Sequence, residues 1–268
     1  MLFFMSFQAQ PAYGGVPLQW EVGYADTKDV SPAAFVKATV PGAVQLDIAA
    51  SLDYPPYEYS DNYKQWSWME DKFYTYKTRF KKPALREGDR LYFVSKGIDY
   101  QFEIYLNDQK VFEQEGMFTR VDVDLTGRLQ ADNELRILIH PVPKRHPSPA
   151  DRSQAAHVVK PPVSYGWDWH PRLVPLGIWD ETGLEIRPAA FVNDVHVQYR
   201  LSPGFDKAFI TLNVEGKNLK EVATFVSQKL ATIDNLTSTT THFILKKYKE
   251  AGIAIGEEGL GERLPVVP

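Results

Sequence analysis

Between Trp20 and about Pro188 the chain alternates apolar and polar residues in short runs. Val121-Asp-Val-Asp-Leu125, the odd positions of Leu135-Arg-Ile-Leu-Ile-His140, and Phe102-Glu-Ile-Tyr-Leu-Asn107 each place every second side chain on one face, which is the period of a half-buried strand. Turn residues separate the runs at Glu87-Gly-Asp89, Asn107-Asp108, Thr126-Gly127 and Ala131-Asp-Asn133. Short strands with a turn about every ten residues predict a β-sandwich or jelly roll. In this stretch only Ala43 to Leu52, after the break at Pro41-Gly42, reads as a short helix.

Residues 141–165 carry Pro141, Pro143, Pro147, Pro149, Pro161 and Pro162. Proline lacks the backbone donor of a ladder, so this region is expected to be a long loop, and a loop of that length inside a domain is functional or disordered. Val192 to Val214 predicts two further strands around Ser202-Pro-Gly204, with Val195, Val197 and Tyr199 sharing one face. Two strands cannot bury a core by themselves. From Asn218 the period changes. Leu219, Val222, Ala223, Val226, Leu230 and Ile233 follow helical spacing, Asn218 and Glu221 resemble a capping box, and Thr237 to Tyr248 reads as a strand. The residues from Ala251 onward read as a loose tail.

Composition narrows the function classes. With a net charge of −4 and no long basic run, the chain is not expected to bind nucleic acid. It contains no cysteine, which excludes disulfides, thiol catalysis and cysteine-ligated zinc. His140, His146, His157 and His170 lack metal-ligand spacing, and neither a P-loop nor a dinucleotide glycine pattern occurs, so no metal or cofactor is expected. No apolar run approaches the roughly 20 residues needed to span a bilayer, and no membrane partner is expected. The apolar start, Met1 to about residue 11, reads either as a secretory-signal remnant, implying a periplasmic or secreted protein, or as a disordered terminus or mispredicted start. Aromatic residues reach 13%; they suit both sugar stacking and a sandwich core, and composition does not choose between these.

Three ordered segments then carry a resemblance. They are Val40-Pro-Gly-Ala-Val-Gln-Leu-Asp47 with Tyr54-Pro-Pro-Tyr57 and Asp61-Asn62; Trp68-Met-Glu-Asp-Lys-Phe-Tyr-Thr-Tyr76 with Arg79-Phe80, Lys96-Gly-Ile-Asp99 and Ile104-Tyr-Leu-Asn107; and Tyr165-Gly-Trp-Asp-Trp-His-Pro-Arg172 with Leu176-Gly-Ile-Trp179 and Leu184-Glu185. Together, over about residues 20 to 200, they resemble the N-terminal sugar-binding domain of glycoside hydrolase family 2. The Trp-Asp-Trp piece selects the β-mannosidase-like branch.

The resemblance implies a jelly-roll, galactose-binding-like sandwich over residues 12–190 and the first strands of an immunoglobulin-like domain over 191–216. In the family a (β/α)8 barrel with two catalytic glutamates comes next. These 268 residues stop before it, so the expectation is sugar binding without turnover, and no catalytic residue is expected here. Retaining hydrolysis needs two carboxyl groups about 5 Å apart. Asn133-Glu134 matches the family's acid/base signature in letters only, because it opens the strand that runs to His140.

The resemblance also implies that Asp168 contacts hydroxyls of a terminal sugar while Trp167 and Trp169 shape the pocket. A carboxylate suits that role because it accepts two charge-assisted hydrogen bonds. The bland alternative makes the tryptophans core and Asp168 a turn residue. Arg172 and Trp179 are expected to be supporting residues, Arg172 through an ion pair, and Gly177 to serve a tight turn. His170 stands where the family has glycine, which questions the local backbone path.

Residues 217–250 resemble instead the C-terminal end of an Lrp/AsnC-type ligand-binding domain, followed by a tail over 251–268. The reading is a fusion or frame shift near residue 217, or chance similarity. Three functions stay open: the sugar-binding portion of a β-mannosidase-like enzyme, a free-standing carbohydrate-binding module, and an assembly or regulatory role through the C-terminal α-β unit.

Overall fold

The computed structural model describes residues 18–143, 152–188, 191–216, 249–250 and 253–254. The chain divides into two units, residues 1–189 and 190–268.

The first unit is mainly β. Its strands are β1 (Trp20–Ala25), β2 (Val36–Ala38), β3 (Phe73–Lys81), β4 (Arg90–Ser95), β5 (Ile98–Asp99), β6 (Gln101–Leu106), β7 (Gln109–Glu115), β8 (Val121–Asp124), β9 (Asp132–Ile139), β10 (Gly177–Ile178) and β11 (Thr182–Arg187). One antiparallel sheet runs β2-β1-β3-β9-β6-β7, a second runs β11-β4-β8, and β5 pairs with β10. Leu135, Ile137 and Ile139 of β9, Phe102, Ile104 and Leu106 of β6, and Leu91 and Phe93 of β4 enter one buried cluster with Val121, Val123 and Leu125. In β6, β8 and β9 these are the alternate positions the sequence marks as apolar, so strand period and packing agree there.

The turn at Asn107-Asp108 has positive φ at both residues, 49° and 65°, as a tight hairpin between β6 and β7 requires. Asn107 and Asn133 finish that corner: the Asn107 side chain donates to Asn133 Oδ1 at 3.0 Å and its oxygen accepts from the Glu134 backbone at 3.0 Å. Glu134 itself pairs with Arg79 at 2.9 Å. The Asn133-Glu134 dipeptide is therefore part of a strand and its corner.

Helix α1 (Val44–Ser51) forms over the predicted stretch and buries Val44, Gln45, Ile48 and Ala49. A 3₁₀ helix over Asn62–Asp71 was not predicted. Its polar residues carry no helical period, and it is held from one side by burial of Trp66 and Met69. Within the proline-rich stretch, Arg152–His157 and Pro162–Tyr165 form 3₁₀ turns.

In the second unit, β12 (Val192–Leu201) and β13 (Ala208–Gly216) form an antiparallel ribbon. Lys249–Glu250 and Ile253–Ala254 pair as two short strands, β14 and β15, at the border of the expected α-β unit and tail. The helix expected from Asn218 and the strand expected to Tyr248 lie outside the described residues, as does the apolar N-terminus.

Candidate functional site

The segment from Lys160 to Ile178 is pinned at both ends. At its start the Lys160 ammonium, side chain fully buried, is bonded to the Asp99 carboxylate and to the Pro175 carbonyl at 2.7 Å. Burial pushes the Asp99 carboxyl up, against the opposing pull of Lys160, and pushes the Lys160 amine down, against Asp99. At its end the buried Gln45 amide clamps two backbone groups, donating to Val174 O at 3.0 Å and accepting from Leu176 N at 3.1 Å. Gly42 N and Val44 N add bonds to Ile178 O and Leu176 O at 2.8 and 2.9 Å. Gly177 lies in β10 and not in a tight turn. Its constraint is close approach: a Cβ there would sit 2.6 Å from the Gly42 carbonyl oxygen, with φ already at +145°.

Between these anchors the chain makes a narrow loop. Leu173 N donates to Ser164 O at 3.2 Å, and Trp167 and His170 exchange backbone bonds of 2.8 and 3.2 Å. Asp168 and Trp169 therefore occupy the tip. The positive φ falls at Gly166, 96°, and His170 is not among the positive-φ residues, so histidine is accommodated without strain.

Both indoles are solvent-facing, Trp167 at 44% and Trp169 at 77% exposure, with ring centroids 5.7 Å apart. They are not sandwich core. The Arg152 guanidinium lies 4.5 Å from the Trp167 ring centre. Asp168 is exposed, and among the described residues no side chain or backbone donor bonds to it. An exposed pair of large aromatics around a free carboxylate is set up to stack on an apolar ring face and accept hydroxyl hydrogens.

Arg172 points away from the tip. Its Nε and Nη2 meet Glu70 at 3.0 and 3.1 Å, and Nη2 also donates to Gln154 Oε1 at 2.7 Å. Both sides of the Glu70 pair are largely buried, so it ties the loop to the 3₁₀ helix. Trp179 donates from Nε1 to the Met117 carbonyl at 3.0 Å and packs on Gly97, where a side chain would clash with the indole.

Two hollows flank the loop and share Ala43, Ser164 and Pro175 in their walls. One, of about 220 Å³, is lined by Trp66, Glu70, His170 and Arg172. Trp66 Nε1 and Arg172 Nη1 are buried with no bonded partner in the structure. The other, of about 270 Å³, is lined by Asp99, Lys160 and Trp179. Sequence reasoning assigned no role to Glu70, Gln154, Gln45, Asp99 or Lys160. Gln45, Glu70 and Asp99 stand inside motif segments. Lys160 sits in a proline-rich stretch, and its partner is 61 positions away.

The fold is a mainly antiparallel β-sandwich domain carrying an aromatic loop held by buried polar clamps, and comparison with known proteins places it further. Residues 20–180 match the family model for the glycosyl hydrolase 2 galactose-binding domain-like domain, and the chain belongs to that family. It is 28% identical over 248 residues to β-mannosidase B of Emericella nidulans, covering 81% of this chain and 29% of that protein. It is 29% identical to the β-mannosidase of Mus musculus, covering 69% and 23%. Among solved structures, the β-D-mannosidase of Dictyoglomus thermophilum aligns with a TM-score of 0.62 at 27% identity, covering 76% of this chain and 25% of that one. The chain corresponds to the N-terminal portion of β-mannosidase-like family 2 proteins and spans less than a third of these relatives' length.

Proposed function

We propose that residues 12–190 are the sugar-binding portion of a β-mannosidase-like glycoside hydrolase, and that Asp168, with Trp167 and Trp169, contacts the terminal sugar. The whole protein's activity on this reading is hydrolysis of terminal β-mannosides. Residues 191–216 would open the following immunoglobulin-like domain.

The observation that carries the proposal is the free Asp168 carboxylate between two exposed indoles on a loop whose base is locked. A rigid loop presents these groups with little ordering cost. The two carboxyls lining the neighbouring hollows are committed elsewhere: Glu70 to Arg172 and Asp99 to Lys160. We therefore assign this stretch binding, with Arg172 and Trp179 as supports, and not bond cleavage.

Titration with methyl β-D-mannoside while following tryptophan fluorescence tests the binding role. A shallow surface site predicts a Kd on the order of millimolar, about −4 kcal/mol. Asp168→Asn should weaken it about tenfold or more, as loss of a charge-assisted hydrogen bond implies. An Asp168→Asn titration indistinguishable from the unaltered protein would overturn the assignment. Turnover of an aryl β-mannoside that depends on Glu70 or Asp99 would overturn the division between binding and cleavage.

A further inference from the structure

The hollow beside Trp179 is separate from the Trp-loop tip, and the proposal above gives it no task. Its volume of about 270 Å³ lies just under the range of roughly 300–1,000 Å³ for small-molecule sites. Pro41, Met117, Ser164 and Trp179 contribute to its wall, and so does the buried Asp99–Lys160 pair. Asp99 is 97% buried by its 3% exposure, and its Oδ1 has no hydrogen-bond partner, because Lys160 takes the other oxygen. A buried carboxylate oxygen left unbonded is costly and is ordinarily satisfied by a donor. Lys160 directs its two hydrogen bonds to the other Asp99 oxygen and to the Pro175 carbonyl.

Beside this acceptor stands a fixed aromatic plate. Trp179 is bonded at its ring nitrogen to Met117 O, backed by Gly97, and meets Phe118 edge-on at 5.8 Å. Phe118 is 60% exposed. The site therefore offers one hydrogen-bond acceptor, an aromatic wall and proline walls. The ion pair is already self-neutral, so a charged ligand would bring an uncompensated charge beside buried groups.

We propose that the cleft between Trp179 and the Asp99–Lys160 pair is a second binding site, distinct from the Trp167–Trp169 tip, for a neutral hydroxyl-bearing ring of monosaccharide size. One hydroxyl donates to the free oxygen of Asp99, and the ring lies against Trp179, which Phe118 meets edge-on. The inference does not depend on Asp168 having any role.

The test is a titration of the nitrogen-15-labelled chain with methyl β-D-mannoside and, separately, methyl β-D-glucoside. The indole N–H resonance of Trp179, identified by its loss in Trp179→Phe, is the readout. A saturable shift of that resonance is expected with at least one sugar, unchanged in Asp168→Asn. Asp99→Asn should weaken it about tenfold or more. Phe118→Ala, at an exposed position that leaves folding intact, should weaken it severalfold. A strictly linear shift with both sugars overturns the proposal, as does a shift abolished by Asp168→Asn. So does a titration that neither Asp99→Asn nor Phe118→Ala alters. Because the tip is tested by the effect of Asp168→Asn on the fluorescence titration and the cleft by the effect of Asp99→Asn on the Trp179 resonance, failure here leaves the tip assignment standing, and the reverse.

Discussion

The sandwich strand β9 and the ribbon strand β12 have the same sequence pattern and opposite fates. In β9, Leu135, Ile137 and Ile139 are all fully buried. In β12, Val195, Val197, Tyr199 and Leu201 are between 39% and 74% exposed. After a register shift between Val192 and Asp194 the ribbon pairs regularly: Val195 pairs with Val214, Val197 with Leu212, Tyr199 with Ile210 and Leu201 with Ala208, so Val195, Val197, Tyr199 and Leu201 share one face with Ile210 and Ala208. Alternation thus states which face is apolar and says nothing about what covers it. Covering needs a second layer, which β9 finds in β4 and β8. Among the described residues of the second unit, β12 has only β13 beside it in the sheet.

The largest expected effect lies in the covered region. Phe93 is fully buried on β4. Phe93→Ala should destabilise the first unit by about 3–5 kcal/mol, through lost transfer energy and the cavity left behind. Chemical denaturation followed by the near-ultraviolet signal of the buried aromatics measures it, and a loss below about 1 kcal/mol would mean the sheets are not packed as described.

Lys160→Ala comes next. Removing one partner of a buried pair costs about 3–5 kcal/mol when the other stays charged. Asp99 has an escape, because burial already pushes its carboxyl pKa up. A folded-state pKa above the unfolded value favours the native state below the unfolded pKa, and that benefit is lost as pH rises through the folded pKa. With Lys160 gone, its opposing pull vanishes and the window extends further upward. The deficit of Lys160→Ala should therefore be largest near neutral pH and shrink toward acid. A deficit independent of pH would show that the Lys160 ammonium does not govern Asp99.

Gly177→Ala should cost about 1–3 kcal/mol, since the residue holds φ at +145° and its new methyl would meet the Gly42 carbonyl. Thermal melting measures it. An unchanged melting temperature would show that β10 can move away from Gly42 without penalty.

How much of this was legible follows from where the information sits. The strands β6, β8 and β9 are half-buried and antiparallel, so period two marked their inward residues correctly, and the Pro41-Gly42 break marked the start of α1. The 3₁₀ helix at Asn62–Asp71 escaped because tertiary burial of Trp66 and Met69 holds it, and no local period does. At the site, the Trp-loop was visible as a motif, and the structure decides against the core alternative by exposing both indoles. The loop's supports were not visible. A buried lysine runs against the usual exposure of that residue type unless it is paired, and its partner Asp99 is 61 positions away. The Arg172–Glu70 contact likewise joins positions 102 apart. Non-local polar pairs leave no spacing to read.

The smallest expected effect is the sharpest test of the opening contrast. Val197 is 55% exposed on the apolar face of the ribbon. If that face is open in solution, Val197→Ala removes methyls that water already touches, and the change should stay within about 0.5 kcal/mol. If something covers the face, the same methyls are buried and their loss should approach about 1.5–2 kcal/mol, at roughly 0.8 kcal/mol per buried carbon. Amide hydrogen exchange of β12 and β13 measures the local stability directly, without requiring the two units to unfold together. A value near the upper figure would move β12 into the same category as β9 and make its exposure a property of the described residues alone. A value near zero would leave an uncovered apolar ribbon, and pairing alone would then be what holds it.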